Sequence, residues 1–458
     1  NNGGDGFVMA GLAMAAGLEL ELWHLPPRTT STTSAAVALA QAREAGIVIR
    51  AIDPDSLAFE MATFAPDLII DALFGIGLVR APDATAAVTI RMIDDFSAPC
   101  LALDVPSGLD ADRGSAPGEA VRATVTISFI GAKFGCATGG GRALCGERVE
   151  HDLGVSPRCL EGLNVAASRF DPDDLRTRLP PRPLNASKQD AGHALLIGGD
   201  RGMGGALCLA AEAALRVGVG RLSAWTRAEH VPVLLSRRPE AMTRRVDAFN
   251  ADTVPSTVNV LALGPGLGRG DWGRAALDLA LADSRPLLLD ADALNLLAER
   301  GQAAWSDGRV VILTPHSGEA ARLLGIAREA VEADRLAAVT ALAERYCATV
   351  VLKGAGSLVA TCADTPRVIE AGNPGMASGG MGDALTGIIA ALLAQGLSPF
   401  DAASSGALIH AMAGDAAAAD GGERGLLASD LMPWLRRFAN PVEDGEWGSR
   451  ASEQGTGE

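Results

Sequence analysis

The stretch Asn373 to Gly387, NPGMASGGMGDALTG, crowds five glycines around one aspartate just ahead of a long apolar pattern of helical period. Glycines let backbone N–H groups come close to a phosphate, and a helix starting near Asp383 points the positive end of its dipole at the same anion. A carboxylate held there can take the proton from a hydroxyl that attacks phosphorus. The competing interpretation is a plain glycine-rich turn with Asp383 as its N-cap. Other loops weigh against it: IGGDRGMGGA from Ile197, LGPGLGRG from Leu263, LDADALN from Leu289, LTPHSGE from Leu313 and LKGAGS from Leu352 each close a short apolar run. In an open parallel sheet ligands bind beyond the carboxyl ends of the strands, so these loops should converge with Asp383 on one cleft. Asp290, Asp292 and Asn295 read equally as cleft groups or as a helix cap, whereas His316, after a strand and Thr-Pro, reads as a substrate contact. Neither a Walker GxxxxGK[ST] nor a kinase HRD/DFG set is present, and LGPGLGRG lacks GxGxxG spacing, so a nucleotide is held in another manner.

Such loops need a scaffold, and the hydrophobic pattern supplies two. In the first part, ELELWHL, IVIRAI, DLIIDALFG, CLALDVPSG and TVTISF alternate with helical patterns near Ser34 to Ala45 and Thr85 to Asp95. In the second, HALLIGG, LSAWT, VLALGPG, PLLLDAD, VVILTP and TVVLKG alternate with helices such as Ala206 to Val217. Strands separated by helices indicate parallel α/β sheets. Between them, Arg169 to Asp190 is rich in proline and charge. The expected organisation is therefore α/β with two domains, 1–168 and 188–440, a linker 169–187, and a disordered tail 441–458.

Composition narrows the class. A net charge of -16 argues against nucleic-acid binding, and no basic cluster suggests an anionic membrane surface. Seven cysteines are scattered without a CxxC pair, which reads as reduced thiols of a cytoplasmic protein. No apolar run reaches the roughly 18 residues that span a bilayer, and no charged-then-apolar leader opens the chain. The start at Asn1, inside a loop pattern, reads as a fragment. Of 39 basic residues only Lys133, Lys188 and Lys353 are lysine. A lysine in such a chain marks a place that needs a compact ammonium rather than a planar fork. Lys353 and Lys188 flank candidate phosphate loops.

From Lys188 to Leu431, including GERGLLASDL at Gly422, these motifs resemble in order the ribokinase-like superfamily, and within it the ADP-dependent NAD(P)H-hydrate dehydratases. The resemblance implies that Lys353, Gly354, Ala355, Gly356, Ser357 and Gly382 hold the phosphates of ADP. It implies that Ala206, Gly268, His316 and Asp383 line the hydrated nicotinamide, with Asp383 as catalytic base. The family usually reads TPHPGE where this chain has TPHSGE, a departure at Ser317 that keeps His316 and Glu319. Phosphorylating the ring hydroxyl from ADP makes it a good leaving group, and elimination of phosphate then restores NAD(P)H. A magnesium ion is expected on the phosphates.

In the first part, NNGGDG at Asn1, DALFGIG and LDVPSGLD resemble the NAD(P)H-hydrate epimerases over roughly Asn1 to Pro157, a Rossmann-like domain. The resemblance implies substrate contacts from Asn1, Asn2, Gly3, Gly4 and Asp5 and from Gly75, Ile76, Gly77, Leu78, Val79, Arg80 and Ala81. It implies a potassium ion on Asn2, Asp71 and Ser107, and a catalytic Asp104 near the reacting carbon. Oxygen donors without histidine or cysteine suit an alkali cation. The family carries a strand and helical elements before NNGGDG that this chain lacks, so an unpaired sheet edge and a weakened epimerase half are expected. NAD(P)H-hydrate and ADP are the expected partners, with a homo-oligomer left open. Two other functions fit the residues: a ribokinase-like kinase for a vitamin alcohol, and a dehydratase carrying a non-catalytic first domain.

Overall fold

The computed structural model describes residues 4–25, 33–249, 254–301, 305 and 308–441. Asn1, Asn2, Gly3 and nearly all of the expected tail lie outside the described residues. The chain divides into two compact units, one of Asn1–Ala166 with Glu332–Arg335 and one of Ala167–Val331 with Leu336–Glu458.

In the first unit the apolar runs become β1 (Leu22–His24), β2 (Ile49–Ala51), β3 (Ile69–Asp71), β4 (Cys100–Leu103), β5 (Val125–Phe129) and β6 (Glu147–His151). All neighbours are parallel, but they form two sheets, β1-β2 and β3-β4-β5-β6. Among the described strands β3 pairs only with β4 and β1 only with β2, so the parallel strands of this unit do not join in one sheet. The core is correspondingly divided. Phe7, Ala10, Ala38, Ala42 and Ile47 pack as one group, and Ile52, Leu57 and Met61 as another. Helix starts are set by side-chain caps: Asp53 accepts from the N–H of Asp55 ahead of Pro54–Phe64, and Asp83 from that of Ala86 ahead of Ala84–Asp95.

The second unit holds β7 (Ser168–Arg169), β8 (His193–Ile197), β9 (Arg221–Thr226), β10 (Met242–Arg245), β11 (Val260–Leu263), β12 (Leu287–Leu289), β13 (Val311–Leu313), β14 (Thr349–Leu352), β15 (Ser357–Ala360) and β16 (Arg367–Ile369). They make one sheet ordered β10-β9-β8-β11-β12-β13-β14-β15-β16-β7, parallel through β14 and antiparallel at β14-β15-β16. The central strands are buried throughout because helices cover both faces, hence their unbroken apolar sequences. Register aligns the last residues of β8, β11, β12 and β13, namely Ile197, Leu263, Leu289 and Leu313. The residues that follow, Gly198, Gly264, Asp290 and Thr314, therefore stand in a row along the carboxyl edge.

The stretch expected as a linker is built into this unit. Phe170 and Leu175 are 2% and 0% exposed and belong to its core. The helix Pro172–Arg178 is started by a capping box on Asp171, and Arg178 Nε donates to Asp401 Oδ1 at 2.8 Å. Arg178 and Arg367 both stack on the Phe170 ring, 5.0 and 4.8 Å from its centre. Proline and charge there mark a capped helix start and buried-edge ion pairs, not a free connection. No helix among the described residues is long and apolar enough to cross a membrane.

Candidate active sites

Asp383 stands in the first turn of the helix Met381–Ala394, whose N-cap is Gly380 in the left-handed region at φ 94°. Asp383 is thus inside the helix and not its cap, and its side chain is free for other work. The loop before it is anchored at both ends. Asn373 Nδ2 and the N–H of Gly372 donate to Asp415 at 2.9 and 2.8 Å, and Ser378 donates to the carbonyl of Leu426 at 2.9 Å. A β-carbon built on Gly382 would lie 3.3 Å from Lys353 Nζ and 3.4 Å from Asp290 Oδ2. The glycine motif therefore sits directly over the Lys353–Asp290 pair.

That pair is the centre of the site. Asp290 is 1% exposed; its Oδ1 accepts from Lys353 Nζ at 2.7 Å and Thr314 Oγ1 at 2.8 Å, and its Oδ2 from Thr386 Oγ1 at 2.9 Å. It occupies the N-cap position of the helix Ala291–Arg300 but makes no side-chain cap bond, which decides between the two readings left open. Asp292 accepts from the N–H of Gly268 at 2.9 Å. Between the two aspartates, Ala291 is held at φ 48°, a left-handed conformation costly for a residue with a β-carbon. Asn295 instead accepts from Arg322 at 2.7 Å. Of the other expected residues, Ala206 and Gly268 both lie where the β8 and β11 loops approach: a β-carbon on Gly266 would lie 3.2 Å from that of Ala206, and one on Gly268 would lie 3.0 Å from Asp200 Oδ2. In KGAGS the N–H of Gly354 donates to Ser357 Oγ at 3.3 Å, and Gly354 and Gly356 take φ of 144° and 61°, a hairpin only glycine forms without strain.

Burial dominates the electrostatics. It pushes the Asp383 carboxyl up to about 7, with Asp290 and Asp292 adding to the rise and Lys353 opposing it. Glu319 is likewise pushed up to about 7, first by burial. For Lys353 burial favours the neutral amine, but Asp290 and Glu319, the latter at 4.0 Å, outweigh it and the net shift is upward. His316 proves to be a helix cap: its Nδ1 accepts from the N–H groups of Gly318 and Glu319 at 2.9 and 3.3 Å. With Nδ1 so occupied, the ring proton belongs on Nε2, and burial followed by the Lys353 and Arg322 charges holds the ring below its ordinary pKa. His316 is therefore a neutral donor at Nε2, and the cap role does not exclude a ligand contact. Thr314 and Thr386, which hold Asp290, stand outside the expected site residues. Thr386, one turn after Asp383, was findable from its spacing alone.

In the first unit, Asp71 and Ser107 do come together. Asp71 is 1% exposed and accepts from Ser107 Oγ at 2.6 Å, from the Ser107 N–H at 2.7 Å and from the Leu73 N–H at 3.2 Å. Burial raises its pKa against these hydrogen bonds. Gly4 and Asp5 open the helix Gly4–Ala15, and a β-carbon on Gly6 would lie 2.8 Å from that of Ala72, so the start of this helix reaches the end of β3. Asn1, Asn2 and Gly3 cannot be placed, being outside the described residues. Gly75 to Ala81 form an open surface loop, with Ile76 55% and Val79 69% exposed. Asp104 follows β4 at φ 69° and is paired with Lys133 at 2.5 Å.

A family model described as NAD(P)H-hydrate dehydratase matches residues 194–437, and one described as YjeF-related protein N-terminus matches residues 1–135. The bifunctional NAD(P)H-hydrate repair enzyme of Coxiella burnetii is 44% identical over 443 residues, covering 96% of this chain and 88% of that protein. That of Escherichia coli is 42% identical, covering 96% of this chain and 84% of its own. Among solved structures, an ADP/ATP-dependent NAD(P)H-hydrate dehydratase of Bacillus subtilis, co-crystallised with ATP and magnesium, is 29% identical with a TM-score of 0.55, over 60% of this chain and 98% of that one. With both halves matched in order and such relatives shared over nearly its whole length, the chain belongs to the bifunctional NAD(P)H-hydrate repair enzymes, which join an epimerase to an ADP-dependent dehydratase.

Proposed function

We propose that Asp383 is the base of the dehydratase, taking the proton of the nicotinamide-hydrate hydroxyl as that oxygen attacks the β-phosphorus of ADP. The observation that carries this is its environment: a carboxyl pushed up to about 7 at a helix N-terminus, beside a buried Lys353–Asp290 pair. A base poised near neutrality balances availability against strength. KGAGS (353–357) and Gly382 would cradle the phosphates, the helix dipole and Lys353 offsetting the charge that develops. Ala206, Gly268 and the Nε2 of His316 would meet the hydrated ring. Among the described residues no group of three or more histidine, cysteine or acidic side chains is arranged to hold a metal. Magnesium keeps most of its water and would ride on the nucleotide phosphates, with Asp292, whose charge reaches Asp383, as the nearby carboxylate that would hold it while Asp383 stays free as the base.

In the epimerase half, Asp104 would contact the substrate near its reacting carbon, with Gly4, Asp5 and the loop Gly75 to Ala81 around it. Potassium at Asp71 and Ser107 is supported by charge: among the described residues Asp71 is a buried carboxylate with no cationic side chain paired to it. A weakly hydrated alkali ion on these oxygens, with Asn2 as a further donor, would neutralise it. A cytoplasmic setting is proposed from the free cysteines.

The test is NAD(P)H recovery from mixed hydrate epimers with ADP and magnesium, beside Asp383→Asn. Recovery that needs both ADP and Asp383 upholds the assignment, and a stable phosphoester product instead of NAD(P)H would sink it. Conversion beyond the share of one epimer reports the first domain, and its loss in Asp104→Asn separates a catalytic domain from a passive one.

A further inference from the structure

Lys133 is one of three lysines in the chain, and the phosphate loops do not account for it. It follows β5, where the backbone departs from normal strand geometry. Ile130 is held at φ 71°, a conformation that is a genuine outlier for a β-branched residue. At the end of the neighbouring strand β4, Asp104 is held at φ 69°. Two adjacent strand ends thus carry a residue with a β-carbon in the left-handed region, and such strain persists only where surrounding contacts over-determine it. What the two departures bring together is one ion pair: Lys133 Nζ lies 2.5 Å from Asp104 Oδ1, with both side chains less than a fifth exposed. The ammonium also donates to the carbonyls of Phe129 at 2.6 Å and Gly131 at 3.0 Å. An ammonium has three donors and no lone pair; two of its protons go to these carbonyls, and the remaining side of the nitrogen faces the Asp104 carboxylate in the ion pair. The Phe129 N–H donates to the same Oδ1 at 3.2 Å, and Ser128 Oγ donates to the Asp104 carbonyl at 2.8 Å.

We infer that Lys133 is a positioning residue for epimerisation, its ammonium clamped by the Phe129 and Gly131 carbonyls so that it fixes Asp104 by Oδ1 and leaves Oδ2 for the substrate. This rests on the assignment of Asp104 to the epimerase site. With two protons on carbonyls and the Asp104 carboxylate against the nitrogen, Lys133 acts on the substrate through the carboxylate. Arginine does not replace it, because a planar fork cannot converge on three acceptors around one nitrogen.

The test uses the full chain and follows interconversion of the two hydrate epimers, with ADP-dependent dehydration as the internal control. In Lys133→Met, kcat for epimerisation should fall about 100-fold while KM stays within about twofold and dehydration is unchanged. Lys133→Arg should behave likewise, and ethylammonium should restore part of the rate in Lys133→Ala but not in the unaltered protein. If Asp104→Asn epimerises at full rate, the assignment of Asp104 falls. If Asp104→Asn is slow and Lys133→Met is not, the positioning role alone falls, as it does if the unfolding transition drops together with the rate. A crystal structure of Lys133→Met decides independently of activity: the Asp104 carboxylate should swing off the Phe129 N–H, and an unmoved carboxylate overturns the inference.

Discussion

Asp383 and Asp104, the two carboxylates proposed to face substrate, are prepared in opposite ways. Asp383 lies in a regular helix above a continuous sheet, and burial among other acids alters its affinity for a proton. Asp104 lies at the end of a strand in an interrupted sheet, in a left-handed backbone, clamped by an ammonium. The first environment tunes a proton affinity; the second fixes a direction. The difference matches the tasks. Taking a proton from a hydroxyl requires a base near neutrality, whereas inverting a carbon that bears a labile hydroxyl depends on where the flanking group is aimed.

The contrast breaks most sharply at Asp383. Asp383→Asn should lower ADP-dependent dehydration by about 10²- to 10⁴-fold and leave epimerisation alone, read from the reduced-nicotinamide absorbance and from epimer ratios. Lys353→Met should cost the second unit about 3–5 kcal/mol in denaturant unfolding, because Asp290 would remain buried without its partner. The pH dependence of stability has a definite sign. The folded pKa of Asp383 lies near 7 against an ordinary 3.8, so the native state holds the proton more tightly and stability falls as pH rises through that window. In nucleotide-free protein Asp383→Asn should therefore be more stable than wild type above about pH 7, by roughly 2–4 kcal/mol, and lose that advantage on acidification. A melting temperature that is equal for the two at both pH extremes would show that burial does not set this pKa. Asp71→Asn should slow epimerisation about 10-fold and abolish any dependence on potassium over lithium, whereas a retained dependence would place the cation elsewhere. The mildest change is His316→Asn, which keeps a capping oxygen but loses the Nε2 donor. Dehydratase KM should rise a few-fold, about 1 kcal/mol, with an unaltered melting temperature.

The central strands and the position of Asp383 were legible because both are local signals: continuous apolar runs, and glycines beside an acid ahead of a helix. What escaped the sequence depends on distant partners. Asp290 was balanced between cleft and cap, and only Lys353, Thr314 and Thr386, far apart in the chain, decide it. His316 was read as a ligand group, yet its Nδ1 caps the next helix. Phe170 and Leu175 sit among charged residues and prolines, so nothing local marks them as core. Lys133 stood out by type, but its partner lies across a strand and through a backbone turn that no residue preference announces.

A β-carbon placed on Gly387 would fall 2.0 Å from the carbonyl oxygen of Ala210, so the helix bearing Asp383 touches Gly204–Arg216 backbone to backbone. Nothing compressible lies between the two. The proposed base is therefore mounted on an anvil: it cannot travel toward its substrate, and whatever closure the reaction needs must be made by the loops and by the nucleotide itself. A single methyl at position 387 would push the anvil aside and slow turnover while every reacting group kept its identity.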